Sequence, residues 1–372
     1  MSDITLTAGI RQNLLSLQNT AADLTTTQEH LATGKKVNTA FDNPTSYFTS
    51  QSLDNRANDL SALLDQIGQG QQTLNAANDG LTGLTSLLEQ ALSTAQQAQA
   101  AQNDTAGAST GTVNLTGNSA AAGTLVIATG GTTYTVSIAA SAALSTIESD
   151  INTTAGLGST GAVTASDDGS GHLILTSNNP SSSFTLSGTD QTTFGLASTA
   201  VNGTSTTRAT LEGNYNALLT QITQLAQDSS YNGVNLLNGN NLQVLFNEQG
   251  TSSLNISGVT FNASGLGLNV VATGGFQNST TIATTETAIN TAISTVRAQT
   301  ETFGTNSSTI QTRQSFEQNL INTLQTGASN LVLAYQNQES ANLLTEQTQQ
   351  QLEISALSIA NQANQSVLKL FP

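Results

Sequence analysis

The sequence predicts an α+β fold: long, discontinuous helices from both chain ends forming a coiled-coil core, a small β-hairpin region, and a separate β-rich domain. Three observations predict it. From Leu60 every seventh residue is apolar (Leu60, Ile67, Leu74, Leu81, Leu88, Ala95), and the series restarts as Ile282, Ile289, Val296, Phe303, Ile310. Seven-residue spacing draws one narrow apolar seam along a helix, and such a seam needs a partner helix. Shorter ladders flank these series. One is Ile10, Leu14, Leu17, Ala21, Leu24, Leu31, with a gap at Gln28; the other is Ala356, Ala360, Ala363, Val367, Leu370. Between the two heptad regions, residues 104–207 lose the period and become rich in Gly, Ser, Thr and Ala. Seams at both ends and none in the middle imply that the ends pair with each other or with neighbouring molecules.

Taken in order, residues 3–33 read as a helix ended near Gly34, with Lys35 and Lys36 beside its negative end. Residues 35–56 read as irregular, because Asn43-Pro44 disfavours a continuous helix. Helical periodicity nevertheless extends over 45–103, weakened locally by Gly68, Gly70, Gly80 and Gly83, so that helix needs packing to persist. In 104–207, short alternating runs at Thr124–Ala128, Thr133–Ile138, Leu173–Thr176 and Phe184–Leu186 are separated by turn clusters such as Gly130-Gly131 and Asp167-Asp168-Gly169. One helical piece, Ala143–Ile151, interrupts them. A disordered segment of the same composition is the alternative. Residues 208–228 are helical again. Two Asn-Gly pairs in SSYNGVNLLNG favour tight reversals, and short strands run through Leu268. Residues 280–337 read as one long helix, eased at Gly304, and about 340–370 as a last amphipathic helix.

Composition narrows the function. The chain of 372 residues is 4% aromatic with no Trp, which suits long thin contacts better than one thick core. Charged residues are 9%, and eight basic against twenty-four acidic side chains leave a net charge of −16. Bare phosphate backbones are repelled by such a chain, so nucleic acid is not an expected partner. The absence of cysteine removes disulfides and thiolate metal sites together. The N-terminus lacks the basic start and unbroken apolar run of a cleaved signal peptide, and no stretch approaches a membrane span. No membrane insertion is expected; the chain is either cytosolic or leaves the cell by a route without a cleaved signal.

Five segments carry a family resemblance. EHLATGKKVNTAFDNPTSY at Glu29–Tyr47, SSYNGVNLLNG at Ser229–Gly239, SGLGLNVV at Ser264–Val271, AISTVRAQTETFGTNSSTIQTRQSF at Ala292–Phe316 and IANQANQSVLKLF at Ile359–Phe371 resemble, in order and spacing, segments of bacterial flagellins. The resemblance implies a structural subunit, not an enzyme, that polymerises into the flagellar filament for swimming motility. It implies a terminal coiled-coil domain from 1–33 and 340–372 at the filament's inner core. A helical core domain from 34–103 and 208–339 follows, with its β-hairpin region near 229–271, and a surface-exposed outer domain from 104–207. The polymerisation seam is then Ile10, Leu14, Leu17, Leu24, Leu31, Ala356, Ala360, Ala363, Val367 and Leu370. The implied partners are other copies of the chain, the flagellar export apparatus and its chaperone, the filament cap and the hook–filament junction protein; the implied location is the extracellular flagellum. A junction protein or a filament-displayed adhesin is the alternative reading. Two departures from the family pattern stand out. The insert lies between the first and second core helices, whereas in familiar flagellins the outer domains follow the hairpin. And Glu89–Gln97 resembles the segment by which some flagellins bind a Toll-like innate receptor, yet Gln90 and Leu92 stand where those flagellins carry two arginines, beside Glu89.

No side-chain constellation suggests catalysis, a metal or a cofactor. His30 and His172 are the only histidines, and His172 has no second His at helical spacing. Asp167 and Asp168 read as turn residues within DDGSG rather than as a carboxylate pair for hydrolysis or calcium. The Gly169–Gly171 pattern follows no strand–helix junction and reads as a turn.

Overall fold

Gly34 stops the first helix and Pro44 starts the second. In the computed structural model, which describes residues 8–116, 121–158 and 161–368 (the side chains of 364, 367 and 368 aside), α1 spans Ala8–Thr33 and α2 spans Pro44–Ala100. Gly34 closes α1 with φ +71, its N–H donating to His30 O at 2.8 Å, a left-handed terminus that suits glycine. Asp42 accepts the amides of Asn38 and Thr39 at 2.8 Å each, which hold its carboxyl below the usual range. Asn43 Oδ1 accepts Ser46 N–H at 3.0 Å, so Asn43 caps α2 and Pro44 takes the first helical position, where no N–H is needed. The irregular stretch expected over 35–56 therefore ends at residue 43: the same Asn-Pro pair that breaks a helix also begins one.

The middle of the chain forms β1 (Ala108–Thr110), β2 (Gly123–Thr129), β3 (Thr132–Ile138), α3 (Leu144–Thr153), β4 (Val163–Asp167), β5 (Leu173–Ser177), β6 (Phe184–Ser187) and α4 (Thr189–Thr193). Two three-stranded antiparallel sheets result, ordered β1-β5-β4 and β3-β2-β6. Alternation puts Leu125, Ile127, Val136, Ile138, Leu173 and Leu175 into one core with Ile147 and Ile151 of α3, drawn from residues 115–201. Strands β1 and β4 and helix α4 lie outside the expected runs; β1 and α4 are too short to show a period. The chain leaves and returns through a bridge between Thr105 and Thr204, where each amide donates to the other's carbonyl at 2.9–3.0 Å.

Helix α5 (Thr206–Asp228) leads into a tight reversal at Tyr231–Val234, with Asn232 and Gly233 at φ +47 and +80, as an Asn-Gly hairpin turn requires. Asn235, buried, donates to the carbonyls of Ala226 and Gln227 and accepts the Leu237 amide. Strands β7 (Leu242–Leu245) and β8 (Ser253–Ile256) pair as the hairpin. Residues 257–271 are turns and coil rather than further strand, anchored by buried Leu266 and Leu268.

Helix α6 runs Ser279–Val332 and α7 runs Gln336–Leu368. Gly304 lies within α6 without interrupting it; the break falls instead at 333–335. There tertiary backbone pairing overrides helix continuation: Val332 O accepts Lys36 N–H at 2.7 Å, and Ala334 N–H donates to Gly34 O at 2.9 Å.

The chain divides into two compact units. The first comprises 1–71, 243–255 and 307–372; the second comprises 72–242 and 256–306. Leu74, Leu81 and Leu88 of α2, with Ile282, Ile289, Val296 and Phe303 of α6, are fully buried in the second unit. The glycines of α2 admit close neighbours: a Cβ at Gly83 would lie 2.8 Å from Leu225 Cδ2, and one at Gly70 2.8 Å from Val244 Cγ2. In the first unit the α6 heptad continues past Ile310 to a glutamate, Glu317, only 3% exposed. Burial, then Glu248, push its carboxyl above the usual range against the opposing pull of Arg313 and Arg56. Arg56 pairs with Glu248 at 3.0 Å, and Arg313 lies over the Phe246 ring.

Candidate functional site

The terminal helices α1 and α7 pack along each other in the first unit. The covered stripe of α1 is Ile10, Asn13, Leu17, Thr20, Leu24, Thr27 and Leu31, steps of three and four without a gap. Its apolar half is as expected for Ile10, Leu17, Leu24 and Leu31. Leu14 belongs to it no longer: it is 38% exposed, and the stripe passes through Asn13 instead. The apparent gap at Gln28 is filled by Thr27, which is buried, as is Thr20.

On α7 the covered stripe is Glu339, Leu343, Glu346, Gln350, Glu353, Leu357 and Ala360. Of the expected residues only Ala360 falls on it. Ala356 and Ala363 are exposed; the side chain of Val367 and the whole of Leu370 lie outside what is described. The physical reason is polar pairing. Ser16 and Thr20 hydroxyls donate to Glu353 Oε1 at 2.7 and 3.1 Å, Thr27 donates to Glu346 Oε1 at 3.1 Å, and His30 Nδ1 lies 3.6 Å from Glu339 Oε1. The Ser16 hydroxyl, then Gln349 and Thr20, hold the Glu353 carboxyl below the usual range. A search for apolar residues cannot find a stripe built on carboxylates. Its one sequence signal is the seven-residue spacing of Glu339, Glu346 and Glu353.

The consequence is an inverted helix. With the acids sharing the covered stripe with Leu343, Leu357 and Ala360, four larger apolar residues of α7 are left facing out: Leu344, Leu352, Ile354 and Ile359 are 52–68% exposed. Leu15 of α1 and Tyr335 are exposed as well.

In the second unit, Gln90 is exposed and Leu92 half-buried on α2. Glu89 lies 3.4 Å from Arg297 of α6, so a base stands across from a segment that has none of its own. Asp167 and Asp168 accept backbone amides of the turn, and Asp168 also contacts His172 at 2.7 Å. The His172 amide, its ring and the Ser170 amide lower the Asp168 carboxyl to about 2. This is turn chemistry. Among the described residues no group of His, Asp and Glu could hold a metal, and no helix is long and apolar enough to cross a membrane.

The sequence model of the bacterial flagellin N-terminal helical region matches residues 8–115, and that of the C-terminal helical region matches 286–371. Together they span more than half of the chain, including all of α1, α2 and α7. The chain belongs to the bacterial flagellin family. It is 36% identical over 163 residues to flagellin FljM of Caulobacter vibrioides, covering 43% of this chain and 59% of FljM. It is 31% identical over 187 residues to a flagellin of Brucella melitensis, covering 46% of this chain and 65% of that protein. This flagellin therefore spans less than two thirds of the length of those relatives. A solved structure of the flagellar cap protein FliD (domains D1-D2-D3) from Escherichia coli matches 42% of this chain and 71% of its own, at 16% identity and a TM-score of 0.20, too slight a likeness to bear on the fold.

Proposed function

We propose that this flagellin is the repeating subunit of a bacterial flagellar filament, extracellular and without enzymatic activity. One observation carries the reading: α1 and α7 pack through a covered stripe while four large apolar side chains of α7, Leu344, Leu352, Ile354 and Ile359, are left in water. Exposed apolar surface on that scale marks an interaction site. Identical copies that bury it by a heterologous contact extend into an open helical array. In this reading 1–33 and 340–372 are the terminal coiled-coil domain, 34–103 and 208–339 the core, and 104–207 an outer domain facing solvent. Long, weakly amphipathic terminal helices gain little stability alone, which suits export as an unfolded chain with a chaperone, and freedom from disulfides suits threading. The filament cap and the hook–filament junction protein are the remaining partners in this scheme. Electron microscopy of the purified chain after seeding tests it: filaments are expected, and a chain that stays monomeric at every concentration overturns the reading.

The same reading extends to innate sensing. The Toll-like receptor for flagellin is expected to respond weakly, because Gln90 supplies no charge and half-buried Leu92 no donor, while arginine anchors combine stem packing with several donors. Arg297 sits nearby but is engaged with Glu89. A reporter-cell assay on the monomer checks this, with weak activation expected; strong activation by the unmodified chain overturns it.

A further inference from the structure

The 33 residues of α7 contain three charges, Glu339, Glu346 and Glu353, and no base. They recur every seven residues and all lie on the stripe covered by α1. Chance would scatter charges over the solvent face, where ionised groups keep their hydration. Here the solvent face is neutral and the covered face is anionic.

The opposing helix is built to receive them. Thr27, Thr20 and Ser16 offer hydroxyl protons to Glu346 and Glu353, and His30 stands at Glu339. The acids of α1 are elsewhere: Asp23 and Glu29 are exposed. Each carboxylate uses one oxygen. The Oε2 atoms of Glu346 and Glu353 are buried without a hydrogen-bond partner among the described residues. A net cost of this kind is poor design for stability alone, since apolar residues at the same positions would pack without it. It is effective design for choosing a partner, which needs a penalty against the wrong one.

The wrong partner is a second α7. In a parallel α7–α7 pair each glutamate meets its own copy. In an antiparallel pair centred between Gln349 and Gln350, Glu346 meets Glu353. Either arrangement sets carboxylate against carboxylate in a partly desolvated seam, where like charges repel strongly. We propose that the Glu339–Glu346–Glu353 ladder is a partner-selection device that commits the inner stripe of α7 to the hydroxyl-bearing α1 and excludes pairing with α7 of another copy. The neutral outer face is thereby the one surface of α7 open to neighbours. The selection rests on the α1–α7 pair itself and not on the filament reading, and its test uses unpolymerised chain.

Because the chain has no cysteine, one introduced thiol reports one contact. Gln350→Cys marks the inner stripe and Gln351→Cys, on the exposed side, the rate of random collision. Each is oxidised in the full-length monomer, and disulfide dimers are counted. With the native ladder, position 350 is expected to yield fewer dimers than position 351. Replacing all three glutamates by glutamine keeps acceptors for Thr27, Thr20 and Ser16 but removes the charge; the yield at 350 should then rise at least fivefold, with that at 351 unchanged. A chain carrying Glu339→Lys, Glu346→Lys and Glu353→Lys, mixed with the native ladder, should give 350–350 heterodimers several times more abundant than homodimers of either chain. This second arm decides the matter should the glutamine chain lose helicity. Equal yields at 350 with the native and neutral ladders, or mixtures yielding no more than either chain alone, overturn the proposal.

Discussion

A full-length chain carrying Leu24→Asp is expected to stay monomeric when seeded, as is a chain ending at residue 339. Leu24 lies on the covered stripe of α1, one helical turn from both Thr20 and Thr27. Those two side chains meet Glu353 and Glu346. A carboxylate at 24 is thus placed between two others, in a seam where an unpaired charge already costs several kcal/mol. Partial burial lessens that figure, and about 2–4 kcal/mol is enough to disrupt pairing between helices this weakly amphipathic. Leu24→Lys sharpens the test, because the same loss of apolar contact now brings an ammonium to two carboxylates. The lysine chain should polymerise at a reduced rate while the aspartate chain does not. Helical circular dichroism should show the rest of either chain intact. Equal polymerisation by both would mean that this face of α1 does not govern assembly.

The inner and outer helices differed in how much their sequence revealed. Leu60 to Ala95 and Ile282 to Ile310 are buried at every step of their heptads, and every one of those steps is an apolar residue. Apolar periodicity reads such seams directly. For α1 it read half of the stripe, since Thr20 and Thr27 occupy the alternate positions. For α7 the apolar series runs beside the stripe that α1 covers: Ala360 lies on both, while Ala356 and Ala363, three residues on from Glu353 and Ala360, are exposed. Helix boundaries followed the same division. Asn43-Pro44 and Gly34 act locally and were legible as chain breaks. The interruption at 333–335 depends on amides of Lys36 and Val37, nearly three hundred residues away in sequence, which no local rule can supply. The insert's longer strands were visible through alternation; β1 and α4 are held by contacts with other strands and carry too few residues for a pattern.

A single basic residue in the first turn of α5 carries no motif that marks it in the sequence, and its loss should be costly to the second unit. Arg208 is 9% exposed. Its Nε donates to Ala98 O at 3.0 Å, one of the last carbonyls of α2, and its Nη1 donates to Gln277 O at 3.3 Å. The guanidinium thus satisfies an orphan acceptor at the negative end of a helix, where a cation is favoured. Around it, Ser205 caps α5 by accepting the Arg208 amide, Gln277 bonds the Ser205 backbone in both directions, and Glu212 accepts the amides of Gly274 and Phe276. Arg208→Met keeps much of the stem's packing but leaves two carbonyls without donors. Hydrogen bonds from a charged group contribute about 1.5–3 kcal/mol each, and a strained one less, so the expected loss is about 3 kcal/mol. For a unit of this size that lowers the melting temperature by roughly 6–12 °C. Arg208→Lys should recover part of the loss, since an ammonium keeps the charge near the α2 terminus but cannot span both carbonyls from fixed fork positions. Thermal unfolding of the monomer followed by circular dichroism checks the order native, lysine, methionine. Equal melting of all three would mean that the helix end and the Gly275–Gln277 turn are held by Glu212 and the Ser205–Gln277 bonds without help from the guanidinium.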